Sequence, residues 1–289
     1  MARTLNNCPA PAKLNLFLHV IGRRADGYHL LQTAFQLLDR GDMLHFTVRT
    51  DGEIRRTTEV PGIPEHEDLI TRAARLLQSA TGTSLGADIG IDKLLPMGGG
   101  LGGGSSDAAT TLIALNHLWQ TGLDRRALMK LGVRLGADVP FFIFGTNAFA
   151  EGIGEELTPL HTPKLWYIVI EPGIVSPTAA IFSDPELTRD TKAVRITDFP
   201  EATNQFGKND LQVVATKLFP PIDEALQWLR QYGDARMTGS GACVFCAFSQ
   251  EHEADEVLQA VRKTGLSSWK AWKAQAIEHH PLSHLLGQE

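Results

Sequence analysis

Cysteine is scarce in this chain, with three among 289 residues, and an odd, small number gives no disulfide framework. Two of them, Cys243 and Cys246, spell C-x-x-C inside the strand-like GACVFCAF. A strand sends residues i and i+3 to opposite faces, so they read as reduced core or edge residues rather than a redox or metal pair. Basic charge is also in deficit: 27 Lys and Arg stand against 33 Asp and Glu, for a net charge of -6, and no basic stripe marks a nucleic-acid surface. Long apolar runs are missing, none approaching the roughly 20 residues of a membrane span, and the opening MARTLNNCPAPAKL lacks a signal-peptide core. The expectation is a cytoplasmic protein with neither membrane nor nucleic acid as partner. The C-terminal EHHPLSH holds His279, His280 and His284, but its proline reads as a solvated turn rather than a metal site.

Glycine is what the chain has, and it is concentrated. In PMGGGLGGGSSDAA, residues 96–109, six of the seven positions 98–104 are glycine. Each glycine loses more backbone entropy on folding than any other residue, so such a run calls for a reason. A flexible linker does not fit its neighbours. ADIGIDKLLP before it alternates like a strand, and SSDAATTLIALNHLWQ after it reads as a helix with Ala108, Leu112, Leu115 and Trp119 on one stripe. Ser105, Ser106 and Asp107 sit where the N-cap and first turn are expected. Strand, bare loop and helix start together make an anion site, since free N–H groups and the positive helix end converge. A structural tight turn is the other reading.

Two familiar phosphate loops can be tested. Gly98, Gly100 and Gly103 match the G-x-G-x-x-G spelling. However, TGLDRRALMKLGVRLGAD after the loop helix reads as another helix, not the second strand of a dinucleotide fold. A Walker loop closes in Gly-Lys-Ser/Thr, whereas this one closes in Gly-Ser-Ser.

The rest of the chain reads as mixed α/β. PAKLNLFLHVIGRR alternates, with Leu14, Leu16, Leu18 and Val20 on one face and Lys13, Asn15 and His19 on the other, so Lys13 and Asn15 project together or simply face solvent. A turn at 25–27 precedes Tyr28 and His29, a second turn is expected at 40–42, then a strand MLHFTVRT and a helix DLITRAARLLQSATG. In LGADVPFFIFGTNAFAEG, Asp138 stands before Pro140 and an expected apolar strand, as a turn residue or something more. KLWYIVIEPG begins a second half, which places a boundary near residue 160 and two units, 1–160 and 161–289. There NDLQVVATKLFPPIDEALQWLRQYG reads as helical, and MTGSGACVF is a second small-residue turn.

The ordered blocks PAKLNLFLHVIGRRADGYH, PMGGGLGGGSSDAA, LGADVPFF and MTGSGACVF resemble the GHMP small-molecule kinases, across residues 9 to about 247. The resemblance implies an α/β (α+β) chain with an N-terminal ribosomal-S5-like domain, a C-terminal ferredoxin-like domain and an active site in the cleft between them. It implies ATP, with Mg²⁺ bridging its phosphates, held by Pro96, Met97, Gly98, Gly99, Gly100, Leu101, Gly102, Gly103, Gly104, Ser105 and Ser106, with Lys93 near the adenine. The catalytic Lys and Asp fall on Lys13 and Asp138. The metal ligands stay open, the Ser105 or Ser106 hydroxyl being candidates. Asn15, Tyr28, His29, Thr178, Phe182, Gly239, Ser240 and Gly241 fall on the substrate side, and the implied substrate is 4-diphosphocytidyl-2-C-methyl-D-erythritol, phosphorylated on its 2-hydroxyl. The assembly expected is a monomer or weak homodimer. One position departs: Asp68 stands where the family usually has Asn, and an ionised Asp accepts but does not donate.

Overall fold

Two long antiparallel strands, β1 (Thr4–Arg23) and β2 (His29–Arg49), are covered on both faces and organise the molecule, for which a computed structural model describes residues 3–198, 206–264 and 268–286. The first half continues with β3 (Ile54–Arg56), α1 (Leu69–Thr81), β4 (Gly86–Asp92), α2 (Gly103–Trp119), α3 (Arg125–Val133), α4 (Val139–Phe144), β5 (Ala148–Glu151) and β6 (Glu156–Pro159). The second half holds β7 (Trp166–Glu171), α5 (Thr178–Ser183), α6 (Asp210–Leu218), α7 (Pro220–Leu229), β8 (Arg236–Met237), β9 (Val244–Phe248), α8 (Glu251–Lys263) and β10 (Lys270–Ile277). The strands link in the order β3-β4-β2-β10-β7-β9-β8, with β1 and β5 also paired to β2.

Burial on both faces explains why alternation in β1 did not separate inside from outside. One core lies between β2, β4 and helices α1 to α4. A second packs Ala12, Leu14, Leu16 and Phe17 against Tyr167, Val169, Phe245 and Trp272 of the other half. The third gathers Leu18 and Val20 with Ile168, Ile170 and helices α6 to α8. Lys13 and Asn15 are therefore buried, not on a solvated face. Register shifts in β1 between Pro11 and Lys13 and between Asn15 and Leu18 flank them, and bulges of this kind re-aim side chains next to sites. Cys243 and Cys246 lie in different cores, as opposite-facing strand residues must, and burial pushes both thiols up, Cys246 to about 12.

Several sequence expectations are corrected. The turn expected at 40–42 is absent, and β2 runs unbroken from His29 to Arg49. Gly41 is there for closeness, since a Cβ on it would lie 2.0 Å from the Ala10 carbonyl oxygen. The apolar stretch after Asp138 is the helix α4, not a strand; it is buried all round, so periodicity carried no signal, and Pro140 in its first turn suits a helix. Helix α2 starts at Gly103, two residues before Ser105, with Gly102 as N-cap, and it is buried on nearly every face rather than along one stripe. The single helical stretch after Asn209 is two helices, broken at Phe219 before Pro220. His280 is buried, not solvated: its Nδ1 accepts from the Leu282 amide at 3.1 Å, and burial pushes its pKa down to about 3.

Strand β10 pairs with β7 along its length and with β2 at Ala276 and Ile277. Beyond it Leu282 and Leu286 return to the core of the first half. A cut near residue 160 thus leaves the C-terminal tail packed on the N-terminal unit.

Candidate active site

The glycine loop owes its shape to backbone conformations that side chains resist. Gly98, Gly100 and Gly102 have φ of +67°, +75° and +72°. A Cβ on Gly100 would meet the Thr238 carbonyl oxygen at 2.1 Å, and one on Gly102 would meet the Phe142 ring at 2.9 Å and Lys13 Cε at 3.1 Å. The loop also bonds to the second glycine turn: the Ala242 amide donates to Gly98 and the Cys243 amide to Gly99, both at 3.2 Å. Because the α2 N-cap is a glycine with no capping side chain, the amides of the first helical turn lack the partner that a Ser or Asp would supply. The first helical bond is Ser106 N–H to the Gly102 carbonyl at 2.8 Å.

The loop divides two cavities. A smaller one of about 350 Å³ lies between loop residues 96–105, the start of α1 and Lys93. A larger one of about 950 Å³ is lined by Lys13, Asn15, Tyr28, His29, Thr178, Phe182, Asp138 and the turn Gly239, Ser240 and Gly241. Gly98, Gly100, Gly102 and Ser105 line both. Ser106 lines neither; it is fully buried, and its Oγ finds no partner among the described residues.

Lys13 and Asp138 meet at the wall shared with the loop. The Lys13 amine is 3.4 Å from Asp138 Oδ2, donates to Asn15 Oδ1 at 2.5 Å, and stands 5.3 Å from the centre of the Phe35 ring. Asn15 is itself held. Its Nδ2 donates to Thr33 Oγ1 at 2.9 Å, and its amide to Thr238 Oγ1 at 3.0 Å. The ammonium is 3% exposed as a residue, so its position is set by these contacts rather than by solvent. Asp138 precedes α4 at φ -84°, ψ -13°, and its carboxylate caps no amide of that helix. The turn-residue reading assigns that carboxylate a local job, and it has none.

At the far wall the His29 and Phe182 rings stand 4.9 Å apart, inclined by 31°. Tyr28 is 61% exposed at the rim. Thr178 and Ser240 share a hydroxyl hydrogen bond of 2.6 Å, which ties the start of α5 to the second glycine turn.

Lys93 and Asp68 line the smaller cavity, and both are already engaged. The Lys93 amine donates to Asp42 Oδ2 at 2.5 Å and Asp107 Oδ2 at 2.7 Å, while Asp42 Oδ1 accepts from the amides of Leu94 and Leu95. Asp68 caps α1 through Ile70 N–H and receives Arg56 at 2.6 Å. Sequence reasoning passed over Thr33, Thr238, Arg56 and Arg189, and read Asp107 only as a helix-start residue and Asp42 only as part of a turn. Of those passed over, Thr238 stood inside a quoted motif, next to residues that were singled out.

The GHMP kinases N terminal domain matches residues 68–146 and the GHMP kinases C terminal domain residues 190–266. The 4-diphosphocytidyl-2-C-methyl-D-erythritol kinase of Janthinobacterium sp. (strain Marseille) is 68% identical, covering 99% of both chains. That of Aromatoleum aromaticum is 59% identical, covering 98% of this chain and 97% of its own. A crystal structure of a 4-(cytidine 5'-diphospho)-2C-methyl-D-erythritol kinase superposes with a TM-score of 0.76 at 33% identity over 96% of this chain and 99% of that one. The mevalonate kinase of Methanococcus jannaschii shares the fold alone, at a TM-score of 0.65 and 14% identity over 96% of this chain and 99% of its own. With both domains matched, and relatives this similar along the whole length, this chain belongs to the GHMP kinase family.

Proposed function

We propose that this protein transfers the γ-phosphoryl group of ATP to the 2-hydroxyl of 4-diphosphocytidyl-2-C-methyl-D-erythritol. The observation that carries the reading is the Lys13–Asp138 pair, placed between the uncapped start of α2 on one side and a large cavity with aromatic walls on the other. The relatives that cover the whole chain bear the name of this kinase.

Phosphoryl transfer asks a protein mostly for alignment and charge stabilisation. The free amides at the start of α2 hold the β and γ phosphates, with the helix dipole favouring their charge. Asp138 accepts the proton of the substrate hydroxyl as that oxygen attacks. Lys13, aimed by Asn15, stabilises the negative charge that develops on the transferring group. The cytosine rests on Phe182 beside His29, and Tyr28 closes over it from the rim. Among the described residues no group of three or more His, Cys, Asp or Glu could hold a metal. The Ser105 hydroxyl, which lines both cavities at the helix start, and the Asp138 carboxylate would hold a Mg²⁺ that takes most of its oxygens from phosphate and water. That ion neutralises phosphate charge when bound with ATP.

The test is ADP release by purified enzyme offered ATP and one alcohol at a time. The cytidyl alcohol should drive release, and mevalonate, homoserine and galactose should not. Equal turnover of the bare methylerythritol would overturn the substrate assignment while leaving the kinase chemistry in place.

A further inference from the structure

The loop that follows α5 is held by one guanidinium. Arg189 donates from Nη2 to the carbonyls of Phe182 at 3.0 Å and Asp184 at 2.7 Å, and from Nη1 to that of Leu187 at 3.0 Å. Its remaining bond leaves the loop: Nε donates to His29 Nε2 at 3.1 Å. An arginine donates and never accepts, so the Nε2 that receives this bond carries no proton. In a neutral imidazole the proton must then sit on Nδ1. Burial, and then the charges of Arg189 and Arg23, lower the His29 pKa, which agrees with a neutral ring.

The same contacts fix the ring in space. Arg189 grips the carbonyl of Phe182, the residue whose ring lies 4.9 Å from His29, so one side chain sets both walls of the aromatic corner. Both rings line the large cavity, as does Arg189 itself. No side chain or carbonyl among the described residues receives a bond from His29 Nδ1.

We propose that Arg189 is a positioning residue that holds His29 as its Nδ1–H tautomer, so that the ring meets the substrate base only as a hydrogen-bond donor. This rests on the reading that His29 faces the cytidyl base. A donor there matches the acceptor edge of cytosine, N3 and O2. Arg189 reaches the substrate through His29 and touches no reacting atom.

The test combines a spectrum with kinetics. In the parent enzyme labelled with ¹⁵N-histidine, the His29 ring, assigned by its loss in His29→Phe, should show a pyrrole-type Nδ1 and a pyridine-type Nε2. Arg189→Met, which keeps the stem and removes the donors, should shift that pattern toward Nε2–H. It should raise KM for the cytidyl substrate about 3- to 10-fold, the worth of one neutral hydrogen bond, with kcat and KM for ATP nearly held. Arg189→Lys, which retains one donor, should recover part of both effects. A parent spectrum with Nε2 protonated overturns the proposal without any variant, and so does an Arg189→Met enzyme with parental tautomer and parental KM. If His29→Phe keeps the parental KM, the reading of His29 at the base fails and takes this proposal with it. If His29→Phe raises KM and Arg189→Met does not, only the role of Arg189 is lost.

Discussion

Replacing Lys93 by Met separates two roles that one lysine can hold near a nucleotide. The structure gives its amine two carboxylate partners, Asp42 and Asp107, both nearly inaccessible to solvent. Removing one member of a buried ion network leaves the others uncompensated, at a cost of about 3–5 kcal/mol. At roughly 2 °C per kcal/mol for a chain of this size, Tm should fall by about 6–10 °C near pH 8. Burial raises the Asp107 carboxyl above its ordinary value of 3.8. The folded chain therefore keeps a proton that the unfolded chain releases, and stability falls as pH climbs from about 4. Burial alone would lower the Lys93 ammonium, but Asp107 and Asp42 hold it above 10.5, so its contribution is complete below about pH 10 and is lost above that. Without Lys93 the Asp107 carboxyl loses the cation that lowers it and resists ionising more strongly. The gap between parent and variant should then widen with rising pH by up to about 1.4 kcal/mol per unit for each proton retained. Thermal melts of parent, Lys93→Met and Lys93→Met/Asp107→Asn between about pH 5 and pH 8 read this directly, the second substitution restoring part of the loss. Parental melting with an isolated rise in KM for ATP would refute the reasoning and assign the amine to the nucleotide.

Asp138→Asn should lower kcat about 10²- to 10⁴-fold while ATP and alcohol still bind, because shape is kept and proton acceptance is lost; near-normal turnover in a steady-state assay would return Asp138 to a turn residue. Gly102→Val should weaken ATP binding, measured by calorimetry, since φ is +72° and a Cβ meets Phe142 and Lys13, whereas Gly103→Ala, whose nearest atoms lie at 3.4 Å or more, should stay close to parental. Tyr28→Ala and Phe182→Ala should each raise KM for the cytidyl alcohol about 5- to 100-fold with KM for ATP little changed, stacking being worth about 1–3 kcal/mol per aromatic removed; two parental KM values would remove the cytosine clamp.

The parts of the fold that were legible are those with a local cause. Helix α1 was framed by Asp68 and Gly82, which are its N-cap and left-handed C-cap. The glycine loop announced itself by composition. Helix α4 was lost because Val139, Phe141, Phe142 and Ile143 are all buried, and a short run without a polar side has no period to read. The 40–42 segment was misread because glycine serves both turns and close approach, and only the neighbouring Ala10 carbonyl says which. In the site, the family resemblance led to Lys13, Asn15 and Asp138, while the residues that hold Asn15 in place were silent. Thr33 and Thr238 act through bonds to Asn15, from 18 and 223 positions away, and no spacing rule spans such gaps.

The two bonds from Ala242 and Cys243 to the glycine loop join segments more than 140 positions apart. Closing so long a stretch of chain must precede any gain from the contact, so the phosphate cradle takes its final form late, together with the cores that β1 shares with the second half. An N-terminal fragment ending before β7 would carry the α2 segment and its glycines yet lack the turn whose amides pin the loop. During synthesis, nucleotide affinity should therefore emerge only once residue 243 has left the ribosome, making ATP a reporter of completed folding rather than a guide to it.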